Sequence, residues 1–310
     1  MHKPVLAAEV MELLSPKEGG VYVDGTLGGG GHAELILGLI GANGKLLGID
    51  RDADAVARCK ARLARWGEQC ILRQGNFADV EGIARSCGIA RADGLVLDLG
   101  MSSNQLDDGS RGFSLMAEGP LDMRMDRSSG PAAADLVNGL SEEELRNILW
   151  EFGEERAARR IARAIVRARE QCPLRTTADL ARAVVSATGG VRGRIHPATR
   201  TFQAIRIAVN GELEALAAGL EAGLRLMAPG GRMAVISFHS LEDRIVKRCF
   251  AAHAGSWRSL EEGGRRLERM EPGISPVTKR PVRPGEKEVR DNARARSAKL
   301  RVAERLADGK

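Results

Sequence analysis

The chain predicts an α/β fold, a mostly parallel sheet with crossover helices interrupted by a helical insertion. Three observations predict it. Short β-rich runs alternate with helical patterns over roughly the first hundred residues. A glycine turn joins the first strand to its crossover helix, and strand character returns at Arg232 to Phe238 after a long stretch that lacks it.

The elements follow in order. Val5, Leu6, Val10, Leu13 and Leu14 alternate with Glu9 and Glu12, the pattern of a short amphipathic helix. Strands are expected at Val21 to Asp24, Leu46 to Ile49, Ile71 to Arg73 and Leu95 to Leu99. Helices are expected at His32 to Leu39, Ala53 to Trp66 and Asp79 to Ser86. This is a Rossmann-like order. The next stretch is turn-rich, then helical: Arg156, Arg159, Arg160, Arg163 and Arg167 fall on one helical face, and Ile161, Ala164, Ile165 and Ala168 fall on the other. Phe202 to Met227 continue a helical spacing, broken at Asn210-Gly211, and the turn Pro229-Gly230-Gly231 precedes the returning strand. The expected division is a discontinuous Rossmann-like domain at 1–109 and 206–310, with an inserted helical domain at 110–205.

Composition narrows the class. Apolar residues make up 43% and charged residues 28%, and no apolar run has the length of a bilayer span. The N-terminus lacks the charged, then apolar, then cleavable pattern of a secretory signal, which points to the cytoplasm. Five scattered cysteines without a C-x-x-C pair read as reduced core residues. The net charge is +6, and Lys279 to Lys310 holds eleven basic against five acidic residues, so the excess lies in a C-terminal segment suited to meeting phosphates.

The strongest local signal is VYVDGTLGGGGHA, which sets Asp24 at a strand end and Gly28, Gly30 and Gly31 before a helix. Backbone must turn tightly there and approach a ligand closely. Asp50 ends the next strand and suits the hydroxyls of a ribose. Both a nicotinamide dinucleotide and S-adenosylmethionine fit this pattern. Phe77, after the third strand, is placed to meet an adenine, and Asp98, ending the fourth, faces the same crevice. The Pro-Gly-Gly turn before the fifth strand tilts the reading toward S-adenosylmethionine.

Long strings then carry a specific resemblance: DGTLGGGGH (24–32), GIDRD (48–52), LDLGMSSNQLDD (97–108), GPLDMRMD (119–126), GEERAARRIARAIV (153–166), HPATRTFQAIRIAVN (196–210), ISFHSLEDRIVK (236–247) and NARARSAKLR (292–301). The chain resembles the bacterial ribosomal RNA small-subunit methyltransferase H family (MraW type). The resemblance implies a class I methyltransferase sheet with an inserted helical domain. It also implies S-adenosylmethionine as cofactor, and 16S rRNA of the small ribosomal subunit as partner. The reaction implied is methyl transfer to the exocyclic N4 of a decoding-centre cytidine. Cofactor contacts carried over fall on Gly30, Gly31, His32, Asp50, Phe77, Asp98 and Gln105.

Asp98 is the first candidate catalytic group, as an acceptor near the N4 protons or as a holder of the cofactor ammonium. His239 is the second. Ser240 and Asp243 resemble a capping box, so His239 also reads as a helix start. With Glu242 it makes too few ligands for a metal, and none is expected. Aromatic residues total only 3%, so RNA recognition is expected to rest on phosphate contacts, with Arg124, Arg200, Arg206, Arg294 and Arg296 contributing.

Overall fold

The computed structural model describes residues 4–190, 196–259 and 265–307; the last three residues of the basic segment, 308–310, lie outside them. Two compact units emerge, Met1–Gly100 with Leu213–Lys310, and Met101–Glu212.

The first unit opens with α1 (Ala7–Leu14) and continues as β1 (Val21–Asp24), α2 (Gly31–Leu39), β2 (Lys45–Asp50), α3 (Ala53–Arg62), β3 (Cys70–Gln74), α4 (Val80–Ser86) and β4 (Ala92–Asp98). These are the expected elements, their ends moved by up to four residues. Apolar runs such as Leu46–Leu47 and Leu95–Leu97 are buried because helices cover both faces of the sheet.

The second unit is helical: α5 (Ser103–Asp107), α6 (Ala133–Gly139), α7 (Glu142–Glu151), α8 (Ala158–Gln171), α9 (Thr177–Thr188) and α10 (Thr199–Asn210). Arg156 just before α8 and Arg159, Arg160, Arg163 and Arg167 on it are exposed, while Ile161, Ala162 and Ile165 are buried with Leu145, Leu149, Leu180 and Ile205. Gly211, at φ 56°, ends α10 where the Asn-Gly break predicts.

The first unit resumes with α11 (Glu212–Leu226), β5 (Met227–Ser237), α12 (Ser240–Ala254), β6 (Ser256–Ser259), β7 (Arg265–Glu268), β8 (Ile274–Pro276), α13 (Glu286–Asp291) and β9 (Lys299–Arg305). The seven-stranded sheet runs β3-β2-β1-β4-β5-β9-β8. β1 to β5 are parallel, with Asp98 beside Ile236 across β4 and β5, so the whole helical unit is inserted between two adjacent strands. β9 joins β5 antiparallel.

That last strand corrects one expectation. The basic C-terminal segment is not a free tail: Leu300, Val302 and Ala303 are buried in the sheet. Its charges are partly spent there, since Arg301 and Lys299 pair with Asp243 at 2.7 and 3.2 Å, and Arg305 donates to the Met227 carbonyl. Lys279, Arg280, Arg283, Lys287, Arg290, Arg294 and Arg296 remain exposed. Cys172 is also exposed, unlike the core cysteine expected. No helix among the described residues is long and apolar enough to cross a membrane.

Candidate active site at the carboxyl edge of the sheet

In a parallel sheet the loops that leave the carboxyl ends of neighbouring strands form one crevice. Here those loops are tied to one another. Gly25 N–H donates to the Val96 carbonyl at 2.9 Å, Leu27 N–H to Ile49 at 2.9 Å, and Gly75 N–H to Asp50 at 2.9 Å. Thr26 links two strand ends: its N–H donates to Asp24 Oδ1 at 3.1 Å, and its hydroxyl oxygen accepts the Asp98 N–H at 2.6 Å. Thr26 carries no motif of its own in the sequence; its place between Asp24 and Gly28 is the available signal.

Asp50 holds the glycine turn. Its Oδ2 accepts the Gly28 N–H at 2.7 Å, and its Oδ1 accepts the Asp52 N–H at 2.9 Å. Each carboxylate oxygen retains a further lone pair for a hydroxyl donor. Gly30 caps α2 at φ 76°, a conformation that demands glycine, and a Cβ there would also crowd Cys59 Sγ at 3.0 Å. Gly31 packs on Pro4.

The strand-end carboxyls repel ionisation. Burial raises Asp24 to about 7; the Thr26 N–H pulls against that shift and Asp50 adds to it. Burial raises Asp98 to about 8, and the charges of Asp24 and Glu242 push the same way. Asp50 is raised as well, by burial first. Asp98 Oδ1 is buried without a hydrogen-bond partner, the mark of a group awaiting a ligand.

His32 is buried and lowered to about 4 by desolvation. Its Nε2 contacts the Val5 carbonyl at 3.0 Å, and because a carbonyl only accepts, Nε2 carries the hydrogen. Nδ1 then faces Asp98 Oδ2 at 3.7 Å. The ring therefore anchors the N-terminal segment beneath the crevice.

Phe77 packs into the core against α11. A Cβ on Gly219 would come within 2.5 Å of its Cδ2, so the ring position depends on that glycine. Gly219→Ala is expected to lower unfolding free energy by about 1–3 kcal/mol, as overpacking does, measured by urea denaturation; an unchanged midpoint would show that the ring yields freely.

His239 follows β5 and is itself the N-cap of α12, one residue before the cap expected at Ser240. Glu242, not Asp243, completes the capping box: Glu242 N–H donates to His239 Nδ1 at 3.4 Å, and Glu242 Oε2 accepts the N–H groups of Phe238 and His239 at 2.8 and 3.2 Å. His239 Nε2 is buried without a hydrogen bond, although Glu242 Oε1 lies 3.2 Å away at poor alignment.

Gln105 belongs to the inserted unit, where its side-chain oxygen accepts the Ser102 N–H at 2.9 Å in a capping box. Arg124 is engaged there by both oxygens of Asp122, at 2.9 and 3.0 Å. Arg206 is 9% exposed and held by Glu212 through two bonds of 2.8 Å, a packing role that its sequence position did not reveal. Arg200, Arg294 and Arg296 are exposed.

Known proteins share this chain along its length. Relatives named ribosomal RNA small subunit methyltransferase H include one from Trichlorobacter lovleyi, 53% identical over 308 residues and covering 98% of each chain. One from Syntrophotalea carbinolica is 51% identical over 307 residues, again with 98% of each chain covered. One from Sorangium cellulosum is 52% identical, covering 98% of this chain and 91% of its own. A solved rRNA methylase from Streptococcus thermophilus overlays 99% of each chain with a TM-score of 0.43 and 11% identity. The model of the MraW methylase family matches residues 1–306, nearly the whole sequence, and with that match and those relatives the chain belongs to the MraW methylase family.

Proposed function

We propose that the protein transfers a methyl group from S-adenosylmethionine to the exocyclic N4 of a cytidine in the decoding centre of 16S rRNA. The observation that carries the reading is the strand-end cluster itself. Asp98 ends β4 with one oxygen buried and unpartnered, beside a glycine turn that is pinned by Asp50. The whole-length identity to enzymes named for the small-subunit rRNA supports the substrate, and the family strings support the cytidine.

The residues fit the cofactor. The carboxylate of Asp50 suits the ribose hydroxyls, the open space at Gly29 admits a close approach of the ligand to the turn, and Phe77 is assigned to the adenine. Asp24 and Asp98 offer acceptors for the amino-acid end of the ligand. The cofactor supplies an activated methyl on a sulfonium. What the chain must add is alignment and exclusion of water. Cytosine N4 is a weak nucleophile because its lone pair is delocalised into the ring. An acceptor for the N4 protons restores that lone pair, and Asp98 takes the role; His239, the second candidate, spends Nδ1 on the Glu242 N–H, so its Nε2 carries the ring hydrogen and can only donate.

RNA is held through phosphates. Arg200 on the inserted unit, with the exposed arginines of α8, and Arg294 and Arg296 before β9 are presented to solvent; Arg124 and Arg206 are engaged by the carboxylates of Asp122 and Glu212. Arg294→Ala with Arg296→Ala is expected to weaken binding to small subunits and to reduce the slope of log K against log salt by about one to two. Equal slopes in filter binding would remove this segment from the RNA surface.

The assignment is tested by incubating the protein with methyl-labelled S-adenosylmethionine and small subunits that lack the modification, then mapping the label by mass spectrometry. A single labelled cytidine bearing an N4-methyl group is expected. Label on another atom or nucleotide would overturn the substrate reading.

A further inference from the structure

Away from the crevice, three side chains of different chemistry converge within the Rossmann-like unit. Cys249 and His253 stand four residues apart on α12, hence on one face, and Glu221 comes from α11. His253 is fully buried. Its Nε2 lies 3.2 and 3.1 Å from the two oxygens of Glu221, and its Nδ1 lies 2.9 Å from the Pro272 carbonyl oxygen. Cys249 Sγ is 3.7 Å from Glu221 Oε1, and one donor atom from each residue lies within 4.8 Å of the other two.

The hydrogen inventory of this cluster is unbalanced. A carbonyl only accepts, so Nδ1 carries the ring hydrogen, and a neutral imidazole then turns the Nε2 lone pair toward a carboxylate. Two acceptors at that separation repel unless a cation stands between them, either a proton shared by the pair or a metal ion. A ring N–H given to a backbone carbonyl is also the contact that orients a metal-ligating imidazole. The thiol distinguishes the two cations. Burial and Glu221 push Cys249 up to about 12, so without a metal it is only a weak donor to the carboxylate. A borderline-soft ion employs sulfur, nitrogen and oxygen together.

We propose that Glu221, Cys249 and His253 form a binding site for a divalent ion of the zinc type, with one oxygen, one sulfur and one nitrogen ligand. The Glu221 side chain is 37% exposed, which leaves a fourth position for water. His253 is fourteen residues along α12 from His239, or about 20 Å at the helical rise. The ion therefore ties α11 to α12 and takes no part in methyl transfer.

The test uses the full chain, stripped of metal with a chelator and titrated with Co2+. One equivalent is expected to produce a thiolate-to-cobalt charge-transfer band, displaced by Zn2+, absent in Cys249→Ser, and formed about tenfold more weakly in His253→Gln. No such band in the wild-type chain, or a band that survives in Cys249→Ser, would overturn the site. Should either variant fail to fold by circular dichroism, the wild-type protein still decides: alkylation of Cys249, followed by peptide mass spectrometry, is expected to slow about tenfold with Zn2+, and equal rates with and without Zn2+ reject the proposal.

Discussion

Asp98→Asn is expected to lower kcat by about 10²- to 10⁴-fold, the range that a positioned proton acceptor contributes, while the protein stays folded. Asparagine preserves the shape of the side chain at the end of β4 and the bond from the Asp98 N–H to Thr26. It cannot take a proton. In the free enzyme burial, Asp24 and Glu242 hold Asp98 up at about 8, so the neutral acid dominates at pH 7 and the carboxylate grows as pH rises through that value. The rate is accordingly expected to climb with pH. A cationic ligand beside the carboxyl favours its ionised form, so the inflection in the complex lies below that of the free enzyme. In Asp98→Asn the climb disappears along with the rate. If Asp98 served only to hold the cofactor ammonium, the variant would show a raised KM for the methyl donor, a nearly unchanged kcat and the wild-type pH slope. Steady-state rates between about pH 6 and 9 separate the two.

The parallel half of the sheet was readable because each strand is a short apolar run that ends in a polar residue. Asp24, Asp50 and Asp98 were visible as a set for the same reason. β9 was not. Its buried Leu300 and Val302 alternate with Lys299 and Arg301, and a count of charge over the segment hid the period-two pattern that places the apolar pair in the sheet. The cap of α12 was displaced by one residue because serine and aspartate are the commoner capping pair; here a histidine ring accepts the N–H instead. Arg206 shows a different limit. Its partner Glu212 lies beyond the glycine that ends α10, and no helical spacing links positions six apart across such a break. Exposed arginines were easier to recognise, since the opposite face of α8 is a continuous apolar stripe. Glu242 is not legible as a neighbour of Asp98 because one stands in the first turn of α12 and the other ends β4, and only the parallel register of β4 with β5 brings those strand ends together.

Asp50→Ala is expected to weaken S-adenosylhomocysteine binding by about 30- to 1,000-fold, equivalent to roughly 2–4 kcal/mol, because truncation removes a charged acceptor and leaves the groups it served unpaired. Two effects contribute. The ligand loses the partner proposed for its ribose hydroxyls, and the N–H groups of Gly28 and Asp52 lose the oxygens that position the turn. Asp50→Asn separates them. An amide has a single acceptor oxygen, so it can satisfy one of those N–H groups but not both, and it lacks the charge that strengthens a hydroxyl bond. Its apo melting temperature should fall between those of the wild type and Asp50→Ala, while its affinity should fall by about tenfold or more. Calorimetry on the three proteins, read beside their thermal melts, decides the matter. If Asp50→Ala bound the ligand within threefold of the wild type, the ribose would have to be held elsewhere, and the carboxylate would be only a brace between β2 and the glycine turn. The geometry argues against a brace alone: a carboxyl that burial already disfavours as an anion is a costly way to fix two N–H groups, a task a backbone carbonyl performs without charge.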